Sequence, residues 1–313
     1  MKQVFFCLLW SLGIIANCAA QDGDLQKKNL SDTILLPTRT LQVKGNFDDL
    51  KVLKQLFPGR YYDLSSGKYK DQLINWECKT CKPKSYIDEN EGSNYDFPYA
   101  EGTATRLLKT YSYKDSSGTQ YKMLTFNHSE FDPDGAQTSR FTGGTIGFAK
   151  FTLVDSVWSL KYFQPAAGAY GAFSQCPSPE LLLIGHDQYA FMIKTSNGGA
   201  GGPFYGNLYL IAGADGSYKE VLSSIWVERT NVDENMSAWT CTYNAPVSNK
   251  RFFRDIIVTI KGTYNADDFE DVPEEVKPYT KSNKKGKFTL AKRYVYKWGK
   301  GYQFQGPAGV TID

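Results

Sequence analysis

Residues 207–230 read NLYLIAGADGSYKEVLSSIWVERT, and this stretch decides the fold class. Two segments rich in apolar, aromatic and β-branched residues, Asn207 to Ala212 and Tyr218 to Thr230, flank the turn sequence Gly213-Ala214-Asp215-Gly216. Such side chains fit the half-buried surface of a strand, and an Asp-Gly pair between two such segments is a strong signal for a hairpin turn. The stretch therefore predicts two antiparallel strands.

The same pattern recurs along the chain. Short apolar segments alternate with clusters of Gly, Asp, Ser and Asn about every 8 to 12 residues, which is typical of antiparallel all-β folds. Because no fixed repeat period accompanies them, a regular propeller is not supported. We predict a mainly β fold, as an antiparallel meander, a sandwich or an irregular propeller-like sheet. The further predicted strands run from Arg106 to Tyr113, Tyr121 to Asn127, Thr145 to Val154, Val157 to Phe163, Leu181 to Ile184, Tyr189 to Lys194, Asp255 to Tyr264, Phe288 to Trp298 and Tyr302 to Phe304.

One segment ahead of these strands predicts a short N-terminal helix. It begins with Asn46, a candidate N-cap, followed by two aspartates that suit the positive end of a helix dipole. Leu50, Leu53 and Phe57 then share one helical face, and Pro58-Gly59 ends the pattern.

The first twenty residues predict export. Lys2 supplies the positive charge of a secretory signal, and the apolar run from Val4 to Ala16 is shorter than the ~20 residues that a membrane-spanning helix needs. Small residues place the cleavage after about Ala20, so we expect a protein that is secreted, periplasmic or on the outer cell surface. An alternative keeps Cys18 as a lipid-anchored cysteine, but Asn17 argues against it because a small residue usually stands at that position.

The rest of the chain divides into a leader and a domain. Residues 21–45 are mostly polar and without pattern, which predicts a flexible leader after the signal peptide, 1–20. Residues 46–313 predict a single β-rich globular domain, in which 46–100 is a candidate helix-and-loop subdomain. The net charge is only +3 and no basic stripe concentrates it, so we expect no nucleic-acid partner. No later apolar run has the length of a membrane-spanning helix.

The four cysteines beyond the signal predict disulfides, because their number is even and the protein is exported. Three connectivities are open, and we predict Cys78 with Cys81 and Cys176 with Cys241. The first pair also forms a CxxC motif, which suggests the alternative of a redox-active dithiol. That reading requires a helix after the motif, whereas Pro83 and a polar run through Asn94 follow, so we favour a structural disulfide.

The sequence lacks the motifs of several enzyme classes. GxSxG, HExxH and Walker-type phosphate loops are absent, and His128 and His186 are the only histidines, each interpreted as an ordinary residue at a strand end or turn. Asp132-Pro133-Asp134-Gly135 is interpreted as a turn rather than a Ca²⁺ loop, because a complete site needs about 6 to 8 oxygen ligands. We therefore predict no catalytic residue, cofactor or metal site.

One glycine-rich segment is a candidate for a ligand site. Asn197 to Pro203 lacks the Lys-Ser/Thr of a phosphate loop, which favours a long flexible hairpin connection. As a functional alternative, the segment forms a mobile loop over a binding face, with Asn197, Phe204 and Tyr205 as its contacts.

Five strings between Ala104 and Phe304 carry a resemblance to known proteins. Through them this part of the chain resembles a loose group of uncharacterised secreted bacterial β-rich proteins, and the resemblance implies a fold type and no site. The strings are ATRLL at 104–108, IGFA at 146–149 followed by WSL at 158–160, IGHDQYAF at 184–191 and RYVYKW at 293–298.

These observations predict a non-catalytic, exported, β-rich protein of the cell envelope that binds a protein or a glycan. Two alternatives stay open. One is a secreted carbohydrate-acting hydrolase that uses two carboxylates, since composition alone does not exclude such a pair. The other is a structural envelope lipoprotein anchored at Cys18.

Overall fold

The structure is a computed structural model that describes residues 24–66, 71–135, 140–230, 232–280 and 284–312. Strands account for 55% of the residues and helices for 8%, which confirms the predicted mainly β class. The strands form two sheets, one from each half of the chain.

The first sheet has eleven strands within residues 28–170. They are β1 (Lys28–Asn29), β2 (Gln42–Lys44), β3 (Arg60–Asp63), β4 (Gln72–Glu77), β5 (Lys84–Asp88), β6 (Ser93–Phe97), β7 (Thr103–Lys114), β8 (Gln120–Glu130), β9 (Gly144–Val154), β10 (Val157–Gln164) and β11 (Ala169–Tyr170). The main order is β1-β4-β7-β8-β9-β11-β5-β6, while β3 pairs with β4 and β10 joins β9 to β2. Two pairs are parallel, β1 with β4 and β11 with β5.

The second sheet is an antiparallel meander of eight strands that follow one another in chain order. They are β12 (Glu180–Leu183), β13 (Tyr189–Gly198), β14 (Phe204–Ala214), β15 (Ser217–Thr230), β16 (Ala238–Asn244), β17 (Ile256–Asn265), β18 (Lys285–Lys297) and β19 (Gly301–Ile312). The sheet curls so far that its last hairpin contacts β15. The approach is close at Gly301, where an added Cβ would lie only 2.5 Å from the carbonyl oxygen of Val221.

The two sheets pack face to face over a shared apolar core. Strand β13 shows how the sequence builds it, because side chains along a strand point to alternate faces. Phe191 and Ile193 enter the layer between the sheets, whereas Ala190 and Met192 enter the core inside the curled second sheet. Across the shared layer the rings of Phe148 and Phe191 lie 5.0 Å apart. Burying such a side chain stabilises the fold by about 1.5–3 kcal/mol, so this layer couples the two sheets.

The predicted helix is present and begins two residues later than expected. Helix α1 (Asp49–Leu56) is capped by Asp48, whose carboxylate accepts the backbone N–H of Lys51 at 2.9 Å. Asn46 was therefore the wrong cap, since Asp48 is the residue whose extended backbone directs a side-chain oxygen at the first turn. The helix packs on the outer face of the first sheet. Its buried residues are Val52, Leu53 and Leu56.

The described part of the predicted flexible leader is attached to the first sheet. β1 pairs with β4 and β2 pairs with β10, and between them a 3₁₀ helix, Asp32–Leu35, buries Ile34. The polar residues of this segment surround two isolated apolar anchors, Leu30 and Ile34, which are both buried in the core under α1. Two further helical segments lie late in the chain, the 3₁₀ segment Ala266–Asp271 and α2 (Lys277–Thr280).

The predicted signal peptide, its cleavage after Ala20 and the lipid-anchor alternative at Cys18 lie outside the described residues and stay predictions. Within the described ranges, no helix has both the length and the apolar character to cross a membrane.

Candidate functional site

A cavity of about 630 Å³ lies between the segment that follows β11 and the hairpin of β13 and β14. This volume falls within the range of about 300–1,000 Å³ that is usual for small-ligand sites. Its lining includes the side chains of Arg140, Phe173, Gln175, Asn197 and Phe204. We name it the Phe173–Phe204 cavity.

Phe173 is displayed by an unusual turn. Phe173 and Ser174 both have φ near +56°, and Ala172 and Gln175 on either side form an antiparallel bridge. Positive φ at both central residues is the signature of a type I′ turn, which Asn-Gly normally occupies. A bulky residue in the left-handed region costs about 1–3 kcal/mol. The turn nevertheless leaves Phe173 48% exposed at the cavity.

Buried hydrogen bonds hold this turn in place. Asn127 on β8 is fully buried; its side-chain nitrogen donates to the carbonyl of Ser174 at 3.1 Å, and its side-chain oxygen accepts the N–H of Cys176 at 2.9 Å. The N–H of Ser174 donates to the carbonyl of Thr142 at 2.8 Å. Gly144 leaves the space that Asn127 needs, since a Cβ there would lie 1.9 Å from the Asn127 oxygen. The core of the first sheet thus fixes the backbone that presents Phe173.

Asn197 is held by a small polar network that crosses between the sheets. Its side-chain nitrogen donates to the side-chain oxygen of Asn90 at 2.8 Å. Its own oxygen accepts the backbone N–H of Gly198 at 2.9 Å and the Nε of Arg140 at 3.4 Å. Asn90 in turn donates to the carbonyl of Arg140 at 3.1 Å. Counting the partners among the described residues, one hydrogen of the Asn197 amide remains for a ligand.

The structure brings two of the three predicted ligand-loop residues to this cavity. Asn197 and Phe204 line it, whereas Tyr205 is not among its lining residues and packs against Trp226 with ring centroids 5.7 Å apart. Adjacent residues on a strand point to opposite faces, which separates Phe204 from Tyr205. The expected long loop is also shorter, because β13 continues to Gly198 and β14 begins at Phe204.

The lining suits a ligand with both apolar faces and hydrogen-bonding edges. Two aromatic rings offer apolar surface, and the amide and guanidinium groups offer polar contacts. No carboxylate occurs among the described residues that line this cavity, so they provide no acid and base pair of the kind that glycoside hydrolysis uses.

Outside this cavity, the carboxyl of Glu220 has a pKa that is strongly affected by burial. Burial first, and then the negative charge of Glu89, raise the pKa of Glu220 to about 7, although a hydrogen bond from Tyr170 at 3.1 Å acts to lower it. Burial and then Asp88 also raise the pKa of Glu89. The group lies beside the buried ring of Tyr170 at the edge of the shared core.

His128 is the residue whose environment the sequence analysis missed. It lies inside β8, fully buried among Phe57, Trp76 and Phe97, rather than in a loop. Burial lowers its pKa to about 3, against a smaller opposite effect of the hydrogen bond with Pro165, so the ring is neutral. Nε2 lies 3.1 Å from the carbonyl of Pro165, which can only accept, and therefore carries the hydrogen.

The second ring nitrogen of His128 completes a buried chain of hydrogen bonds. The indole N–H of Trp76 donates to the hydroxyl of Thr105 at 2.7 Å. That hydroxyl donates to Nδ1 of His128 at 2.7 Å, because Nδ1 has no hydrogen of its own. This histidine is satisfied within the core, and we assign it a structural role. His186, by contrast, is 62% exposed beside Asp187.

The cysteines confirm one predicted disulfide and overturn the other. Cys78 and Cys81 are bonded in a turn between β4 and β5, and the strand that follows replaces the helix that a redox motif would need. Cys176 and Cys241 are free and buried. They cannot pair because Cys176 lies in the shared core between the sheets, whereas Cys241 lies in the core inside the second sheet.

We expect the two free thiols to be unreactive in the folded protein. Burial raises the pKa of Cys176 far above its ordinary value, and burial with the charge of Glu228 raises that of Cys241 to about 11. Because the thiolate is the reactive form, a chain lacking residues 1–20 should show no thiol with Ellman's reagent when folded and two after denaturation. Finding none after denaturation would restore the predicted Cys176–Cys241 bond.

Metal binding has no candidate among the described residues, which contain no cluster of three or more His, Cys, Asp or Glu side chains that could hold an ion. Asp132 caps a turn by accepting the N–H of Asp134 at 2.9 Å. Comparisons of the chain with models of protein families, with curated proteins and with solved structures find no match.

Proposed function

We propose that this protein is an exported, non-catalytic binding protein of the cell envelope, and that its ligand is a glycan held in the Phe173–Phe204 cavity. Export is supported by the sequence of residues 1–20. The main support for the binding site is Phe173. Its ring is exposed, and its backbone has an energetically costly left-handed conformation that the fully buried Asn127 holds in place. Strained residues of this kind occur preferentially at ligand sites.

The chemistry of the cavity favours a sugar over a purely apolar ligand. A pyranose ring presents C–H groups on its faces and hydroxyls around its edge. The rings of Phe173 and Phe204 match the first, and the side chains of Asn197, Arg140 and Gln175 match the second. Because Arg140 and Asn90 already fix Asn197, little side-chain entropy is lost on binding, which increases affinity.

The proposal is tested with a glycan array and a pair of matched variants. Phe173→Asn removes the ring and retains a residue that tolerates the left-handed backbone, so the fold should be preserved. We expect at least a tenfold loss of affinity for the glycans that the wild type retains. Phe141→Asn is the control, because Phe141 is 69% exposed and is not among the lining residues. Equal loss in both variants, or no retained glycan, would refute the proposal.

The hydrolase alternative receives no support from this cavity, whose described lining has no carboxylate. The lipoprotein alternative is compatible with glycan binding, since a lipid at Cys18 would change the anchoring of the protein and not its ligand site. Mass spectrometry of the mature N-terminus separates the free form from the anchored form.

A further inference from the structure

We infer a second ligand site, distinct from the Phe173–Phe204 cavity, that binds an amphipathic anion: a molecule with an apolar body and one acidic head group. The site is a cleft of about 540 Å³ on the first sheet. It lies between the end of the 3₁₀ helix Asp32–Leu35, the disulfide turn, β5 and the end of β10. We name it the Lys82–Lys84 cleft. This inference does not depend on the proposed glycan function.

The interior of the cleft is apolar. Phe97, Phe163 and Ala166 form buried parts of its wall, and Leu35 and Leu36 form its outer side. Rings and aliphatic groups of this kind bind the apolar part of a ligand by removing its surface from water, at roughly 25 cal/mol per Å².

Two polar side chains of the interior, Gln164 and Tyr162, are already hydrogen-bonded within the protein. The side-chain nitrogen of Gln164 donates to the carbonyl of Tyr218 at 2.8 Å, and its oxygen accepts the N–H of Tyr218 at 2.9 Å. The hydroxyl of Tyr162 donates to the same Gln164 oxygen. These hydrogen bonds join β10 to the β14–β15 hairpin, so the two side chains offer few further hydrogen bonds to a sugar.

The rim supplies positive charge. Lys82 and Lys84 line the cleft and are exposed, and neither forms an ion pair within the ranges that the structure describes. The disulfide between Cys78 and Cys81 fixes the turn that precedes Lys82. Among the described lining residues, one acidic side chain, Asp32, also borders the cleft. The remaining excess of positive charge favours an acidic head group at the lysine side, above an apolar body inside.

The rear wall is pre-formed. Pro165 lines the cleft, and its carbonyl accepts the Nε2 hydrogen of buried His128 at 3.1 Å. The ring of Phe97 lies with its centroid 4.8 Å from that of the same histidine. Because the core holds both groups, the cleft should not need to be assembled on binding, which lowers the cost of association.

Two fluorescent probes with the same aromatic body test the inference. 1-Anilinonaphthalene-8-sulfonate carries an acidic head group, and N-phenyl-1-naphthylamine lacks it. We expect the wild-type chain to bind the sulfonate at least tenfold more tightly than the neutral probe. The double substitution Lys82→Gln and Lys84→Gln should remove most of that difference and leave the affinity for the neutral probe within about twofold. Lys28→Gln with Lys44→Gln, on strands β1 and β2, is the charge-matched control.

A second variant locates the probes in the cleft. Leu36 is 47% exposed at its outer side, so Leu36→Glu should fold, and it should weaken both probes, the sulfonate more strongly. The inference is overturned if the wild type binds both probes equally, if the lysine variant keeps the preference for the sulfonate, or if Leu36→Glu leaves both affinities unchanged.

Discussion

Arg229→Met is expected to lower the free energy of unfolding by about 3–5 kcal/mol, because it removes the buried guanidinium that pairs with Asp268 and binds the carbonyl of Ser237. The Arg229 side chain is fully buried, and its Nη2 lies 2.7 Å from a carboxylate oxygen of Asp271. Its Nη1 donates to Asp268 and to the carbonyl of Ser237. Burial acts to raise the pKa of Asp268, but hydrogen bonds from Ser237 and Arg229 outweigh it and keep the pKa below its ordinary value.

Chemical denaturation of three variants measures this effect. Arg293→Met is the matched control. It removes an exposed guanidinium that pairs with Asp255, but Asp255 retains its ion pair with Lys250 at 2.5 Å, so the free energy of unfolding should fall by less than about 1 kcal/mol. Adding Asp268→Asn to Arg229→Met should recover part of the loss, because the buried charge is then gone. A cost for Arg229→Met no greater than that for Arg293→Met would contradict the assignment.

His128 and Glu220 are expected to give opposite pH dependences of stability between about pH 4.5 and 6.5. The folded-state pKa of His128, about 3, lies below its ordinary value of 6.5, so the unfolded chain binds more protons in that window. Its contribution to stability is complete above pH 6.5 and is lost as the pH falls toward 3. The folded-state pKa of Glu220, about 7, lies above its ordinary value of 4.5. Its contribution is complete below pH 4.5 and is lost as the pH rises through 7.

The two slopes have similar size, about 1.4 kcal/mol per pH unit each, and they nearly cancel in the wild type. In Glu220→Gln the effect of His128 on the pH profile should therefore become visible, with the free energy of unfolding falling by roughly 2 kcal/mol from pH 6.5 to 4.5. In His128→Gln the effect of Glu220 should become visible instead, with the free energy of unfolding rising as the pH falls from 6.5 to 4.5. The raised pKa of Glu89 acts in the same direction as Glu220, so it should make the rise in the histidine variant steeper and reduce the fall in the Glu220→Gln variant.

Urea denaturation at a series of pH values checks this prediction. The chain has only two histidines, which provides a matched control. His186→Gln alters an exposed side chain and should leave the pH profile unchanged. Parallel profiles for the wild type, Glu220→Gln and His128→Gln would show that neither buried group is linked to folding.

Local pattern predicted the hairpins well and failed where strands carry charge. The strands from Thr103 to Glu130 and from Tyr189 to Thr230 were recognised because apolar side chains alternate around clear turn residues. The hairpin of β5 and β6 was interpreted as a polar run, since its exposed Lys, Ser, Asn and Asp residues conceal the alternation. Strand β16 was missed although Trp239 and Cys241 alternate with exposed threonines, because this short segment lies between longer polar runs.

The candidate sites depended on contacts that no local pattern contains. Asn197 and Phe204 were selected from a glycine-rich segment, but Phe173, more than twenty residues earlier, completes their cavity. A Phe-Ser pair does not indicate a type I′ turn; the buried side chain of Asn127 enforces it from another strand. Likewise, an even number of cysteines says nothing about which core each one enters, so pairing Cys176 with Cys241 was wrong.

A crystal structure with the tightest-binding oligosaccharide from the array would show whether the Phe173–Phe204 cavity is the glycan site. We expect a sugar ring between Phe173 and Phe204, with a hydroxyl within hydrogen-bond distance of the Asn197 amide. A sugar bound only elsewhere, for example on the exposed Trp226 beside Tyr205, would show that the cavity is not the site.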